Sequence, residues 1–74
     1  MATEIDLHGT KHEDVKRKMD DFVWENMQKK TIQLRIITGK SDKMKSIVAN
    51  CLKEYGYSCS TSIINDGVLI VDMI

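Results

Sequence analysis

A two-layer α/β sandwich with the element order βαβαββ is the fold class this sequence predicts, and three observations predict it. Apolar and polar residues alternate in two early segments, 3–8 and 31–37. Each segment is followed by a stretch whose apolar residues recur at helical spacing. The chain then closes with two apolar runs separated by Asn65-Asp66-Gly67, a strong hairpin signal.

The first strand is expected over residues 3–8, with Ile5 and Leu7 on one face and Glu4, Asp6 and His8 on the other. Gly9 permits a sharp turn. Thr10 is placed to cap a helix over residues 11–28, with Glu13 completing a capping box. Val15, Met19, Phe22, Val23 and Met27 form the core stripe of that helix. Residues 31–37 are the second strand, in which Ile32, Leu34 and Ile36 alternate with Gln33, Arg35 and Ile37. A loop over residues 38–41 leads to a second helix, with Ser41 as its N-cap. Met44, Ile47, Val48, Cys51, Leu52 and Tyr55 mark its buried face, and Gly56 is a natural C′ residue. Residues 57–64 and 68–73 form the closing strands. The crossovers should be right-handed. Both helices then cover one face of a mixed four-stranded sheet and leave the other face open.

Composition limits the function classes. No Pro, repeat or linker-like run divides the chain, which reads as one domain over residues 1–74. Eleven basic residues balance eleven acidic ones, so overall charge does not dictate a nucleic-acid partner. Between residues 29 and 45, however, Lys29, Lys30, Arg35, Lys40, Lys43 and Lys45 face a single acid, Asp42. Such a patch suits salt-sensitive phosphate contacts, and equally suits ordinary solubilising lysines. Cys51 and Cys59 make no disulfide framework, and with His8 and His12 they show no zinc-type spacing. A reduced, cytoplasmic setting is expected. No apolar run is long enough for a leader or a membrane span.

The residues that carry chemistry sit at two strand ends. With the first strand running through His8, Asp6 and His8 project to the same face, where Asp6 could orient the ring of His8. The pair equally fits a hydrogen-bonded strand end beside a turn. Thr38-Gly39-Lys40-Ser41 ends the second strand, and a βαβ crossover brings both stretches to one sheet edge, where open α/β proteins place their ligands. A Walker loop would need a Gly where Leu34 stands, which argues against a nucleoside triphosphatase. His12 reads as a solvated first-turn residue, and the methionines at 19, 27 and 44 read as core filler. Trp24 points away from the core stripe, roughly 20 Å along the helix from the proposed edge. A homodimer contact through Trp24 or the open sheet face, or simple packing of Trp24 over a sheet margin, is the expectation there.

Ile5-Asp6-Leu7-His8-Gly9 resembles the LDxHG motif of Smr (small MutS-related) domains. Ile37-Thr38-Gly39-Lys40-Ser41 resembles their second motif, usually (H/T)GxG. Met44 to Val48 and on to Leu52 is similar to the family's second helix, and Gly67 to Val71 to its last strand. The resemblance covers nearly the whole chain. It implies the βαβαββ fold of the C-terminal domain of translation initiation factor three, nucleic-acid binding and, in many members, endonuclease activity. It implies that Asp6 and His8 are the residues of cleavage. The second motif departs at its fourth position, where Ser41 replaces Gly, and this keeps a non-catalytic binding module open. In chemical terms, an imidazole titrates near neutrality and serves as base or acid. Helix N-termini aimed at the edge suit an anion. Gly9, Lys11, Thr38, Gly39, Lys40, Ser41 and Lys43 are the expected phosphate contacts. RNA is favoured, because its 2′-OH can be the nucleophile without a metal. On DNA, water attacks, and a divalent ion such as magnesium held partly by Asp6 would be needed.

Overall fold

The computed structural model describes residues 3–61 and 67–73. The elements follow in the expected order: β1 (Glu4–Asp6), α1 (His12–Gln28), β2 (Gln33–Ile37), α2 (Asp42–Glu54), β3 (Cys59–Thr61) and β4 (Val68–Asp72). The sheet order is β1-β2-β4-β3. β1 runs parallel to β2, while β4 is antiparallel to both β2 and β3. The predicted mixed sheet is thus present, with the last strand inserted between β2 and β3.

Register separates the two faces. Ile5 lies opposite Ile36, Ile36 opposite Leu69, and Leu34 opposite Val71. These residues share one core with Val15, Met19, Phe22 and Val23 of α1 and with Met44, Val48, Cys51 and Leu52 of α2. Both helices therefore cover this face. Glu4, Arg35 and Ile70 form a row across the opposite face. Cys51 and Cys59 are free thiols. Burial pushes both up from the ordinary thiol range, so they pack as small apolar groups.

Several boundaries differ from the sequence expectation. β1 ends at Asp6, because Leu7 to Thr10 form a turn closed by the Thr10 N–H on the Leu7 carbonyl at 2.9 Å. Gly9 occupies the third position of that turn with φ +83°, the signature of a type II turn. The turn uses Thr10, so Lys11 becomes the N-cap of α1 and no side chain caps the helix. The expected capping box is absent. On α1, Met27 is 38% exposed, and Asn26 takes the last buried position instead. That burial is tolerated because the Asn26 side-chain N–H donates to the Phe22 carbonyl at 2.9 Å and its Oδ1 accepts from the Thr31 hydroxyl at 2.8 Å. Ile32 precedes β2 and is 66% exposed rather than part of the core. β3 begins at Cys59 rather than residue 57. Its predicted continuation over 62–64, and Asn65 and Asp66 of the turn, lie outside the described residues.

Both helices end in Schellman motifs. In α2 the Tyr57 N–H donates to the Leu52 carbonyl and the Gly56 N–H to the Lys53 carbonyl, both at 3.0 Å, with Gly56 at φ +83°. In α1 the equivalent bonds run from Thr31 to Asn26 and from Lys30 to Met27, with Lys30 at φ +56°. The helices are joined by a clasp. The Tyr55 hydroxyl donates to Asp20 at 2.8 Å, and Lys16 bridges Asp20 and Glu54, each at 3.2 Å.

Candidate functional site

The C-terminal ends of β1 and β2 and the N-terminal end of β4 meet at one edge of the sheet. α1 follows β1 and α2 follows β2 after short loops, so both helix N-termini open at that edge. The sequence places Asp6, His8, Gly9 and Lys11 in the first loop, and Thr38 to Ser41 in the second. The fold brings the two loops into contact.

The first loop is anchored by Leu7, whose side chain is fully buried and whose N–H continues the ladder to the Ile37 carbonyl at 2.8 Å. His8 sits in the turn, not on the strand. The hydrogen bond that joins Asp6 to it comes from the His8 backbone N–H to Asp6 Oδ1, at 2.9 Å. The expected carboxylate-to-ring contact is replaced by this bond, because the rule that i and i+2 share a face holds only while the strand continues. Asp6 thus fixes the backbone that carries the imidazole.

The second loop passes directly beneath that imidazole. A methyl group built on Gly39 would lie 2.8 Å from His8 Cδ2. Gly39 also has φ +68°, so its backbone angle favours a glycine, and any other residue there would displace the His8 ring. Thr38 beside it is 2% exposed. Its hydroxyl donates toward the Gly39 carbonyl at 2.8 Å, with the Gly67 carbonyl at 3.3 Å. The Gly67 carbonyl also accepts the N–H groups of Thr38 and Gly39, at 2.8 and 3.1 Å. The start of β4 is therefore part of this edge. In the sequence Gly67 reads as the end of the hairpin turn and the start of the last strand, and nothing in a single sequence shows where a backbone carbonyl points.

Ser41 caps α2 as expected, its hydroxyl oxygen accepting the Met44 N–H at 3.1 Å. Its φ of −78° and ψ of 113° are ordinary extended values, so serine stands here without backbone strain. Lys11, Lys40 and Lys43 are exposed, and none forms an ion pair among the described residues. Pairing of cations is concentrated on α1, where Lys16, Arg17 and Lys29 meet Asp20, Glu54, Asp14 and Glu25. His12 is exposed and lines a shallow depression with Thr10, Lys11 and Glu13 at the start of α1. Among the described residues, no three His, Cys, Asp or Glu side chains converge as a metal site. No helix among them is long and apolar enough to cross a membrane.

The edge thus offers two accessible imidazoles, His8 in the first loop and His12 in the first turn of α1, two helix N-termini, and three lysines without an ion pair among the described residues, interspersed with the exposed carboxylates of Asp6, Glu13 and Asp42. Backbone N–H groups at a helix N-terminus suit an anion, and an accessible imidazole can take up or release one proton. Among known protein families, the Smr domain matches residues 5–73 of the chain. No curated protein and no solved structure matches it.

Proposed function

This chain belongs to the Smr domain family, which implies nucleic-acid binding, and from that premise we propose that it is an endonuclease acting on RNA. His8 is the acid–base group. It takes the proton of the ribose 2′-OH as that oxygen attacks phosphorus. The 5′-oxygen leaves and takes a proton from solvent, so the products end in a 2′,3′-cyclic phosphate and a 5′-OH. Lys11, Lys40 and Lys43 hold the backbone phosphates, and N–H groups at the start of α2 face the developing charge. The observation that supports this reading is the close approach of the His8 ring to Gly39, which brings an imidazole of the first loop against the second loop.

One observation favours a second reading. Ser41 stands where the family motif has Gly, and its side chain adds bulk where a phosphate would approach the backbone. On that reading the chain binds RNA and does not cut it.

The deciding assay uses end-labelled structured RNA and plasmid DNA, with magnesium and with EDTA, beside the His8→Ala variant. Cleavage of RNA that persists in EDTA and disappears in His8→Ala is the expected result. Undiminished cleavage by His8→Ala sinks the assigned role. Salt-sensitive binding without any cut product by the unaltered chain establishes the binding module instead.

A further inference from the structure

We infer that Thr38 is a positioning residue of this edge, which together with the Gly67 carbonyl holds the Gly39 backbone under the His8 ring. The inference rests on the proposed role of His8 and reassigns Thr38 and Gly39 from phosphate contacts to the support of that ring.

The hydrogen-bond inventory carries the argument. A threonine hydroxyl has one proton to donate. Here that proton has two internal acceptors, the Gly39 carbonyl at 2.8 Å and the Gly67 carbonyl at 3.3 Å, and the residue is 2% exposed. It has nothing to offer a phosphate in solvent. The N–H groups of Thr38 and Gly39 are likewise directed inward, both to Gly67, at 2.8 and 3.1 Å. A phosphate at this edge therefore meets the lysines and the later amides of the loop, not these two donors.

The clamp serves the imidazole. Gly39 lies so close to His8 that a Cβ there would displace the ring as it now lies. The peptides on either side of Gly39 are tied at two points, the Gly39 N–H to the Gly67 carbonyl and the Gly39 carbonyl to the Thr38 hydroxyl, and that hydroxyl also lies 3.3 Å from the Gly67 carbonyl. Asp6 holds the His8 backbone from the other side. Anchoring the main chain at the root of the ring and the backbone beside it narrows the orientations open to the ring, which is what a proton transfer at a defined atom needs.

The test compares Thr38→Val, which keeps the shape and removes the hydroxyl, with Thr38→Ser, which keeps the hydroxyl. Three readouts are taken: the nuclear Overhauser contact between the His8 ring and the Gly39 α-protons, RNA affinity, and single-turnover cleavage. Thr38→Val is expected to lose the contact and to slow cleavage roughly 10- to 100-fold. RNA affinity should stay within about twofold of the unaltered chain, because uniform binding is untouched. Thr38→Ser should restore both contact and rate. An intact ring contact in Thr38→Val overturns the inference, as does a loss of RNA affinity with the contact retained, which would make Thr38 a ligand. The ring contact is measured without substrate. An unaltered chain that shows the expected contact pattern but cuts no RNA therefore refutes the nuclease reading and leaves the positioning role standing.

Discussion

Asp6 has one hydrogen bond with a definite job, and that job distinguishes two roles for a carboxylate. Its Oδ1 accepts the His8 N–H at 2.9 Å, as an Asx turn does. An asparagine offers the same oxygen without the charge. If Asp6 works by holding the His8 backbone, Asp6→Asn should keep cleavage within about threefold, whereas Asp6→Ala should lose roughly tenfold or more as the ring drifts. If the charge itself acts on the ring or on a metal, the two variants will be equally impaired. Parallel single-turnover rates for both variants decide the matter. Much of this was legible in the residues: the two motifs, their spacing and the turn at Gly9 all placed His8 and Gly39 at one edge. The partner of Asp6 was not, because the geometry assumed a strand running through His8 and the strand ends two residues earlier. Gly39 was recognised as a loop glycine, but its contact with a ring from another loop depends on tertiary packing that local pattern does not contain.

The elements were legible wherever burial and local chemistry agreed. Ser41 and Gly56 bound α2 as their side-chain chemistry demands. The end of α1 was harder to read, since its left-handed C′ position is held by Lys30 rather than glycine. Its last buried position is held by Asn26, a polar residue that donates back to the Phe22 carbonyl within the helix and accepts from Thr31 beyond it. The clasp between the helices is a further feature of this scale, and it makes stability depend on pH. The Tyr55 hydroxyl, and then Lys16, hold the Asp20 carboxyl below the ordinary carboxylate range. Since the folded value is depressed, this contribution is present above the unfolded value of about 3.8 and is lost as pH falls through the folded one. The Asp20 carboxylate raises the Tyr55 hydroxyl above 10.0, so that contribution is present below this value and is lost as pH rises through the folded one. The groups are partly solvated, so Tyr55→Phe should cost at most about 1 kcal/mol at neutral pH. The difference between Tyr55→Phe and the unaltered chain should shrink in acid below the carboxylate range. Urea denaturation at pH 7 and at pH 3 measures both quantities, and an equal difference at the two pH values would remove the clasp as the cause.

At the scale of the molecule, charge is balanced, with eleven cations against eleven anions, and any attraction for a polyanion must come from arrangement. The fold supplies one. Among the described residues, ion pairs hold Lys16, Arg17 and Lys29 on or beside α1, while Lys11, Lys40 and Lys43 form none and lie at the edge where strands end and helices begin. The sequence showed the basic run over residues 29–45 but could not divide it, because division depends on which end of the sheet each lysine reaches. Lys29 and Lys30 follow α1 at the far end, and Lys40 and Lys43 follow β2 at the site. The far end carries apolar exposure instead, with Trp24 61% and Ile32 66% exposed. A single-stranded RNA bound at the site edge releases counterions in proportion to the phosphates neutralised, at about 0.7 per contact in the slope of log affinity against log salt. Replacing Lys11, Lys40 and Lys43 together by alanine should therefore flatten that slope by about two. Replacing Lys29 and Lys30 should leave it nearly unchanged, although it removes charge from the same stretch of sequence. Fluorescence anisotropy titrations across a salt series test the pair of variants. Equal flattening in both would mean that RNA is attracted by the basic segment as a whole, and not by the edge that holds His8.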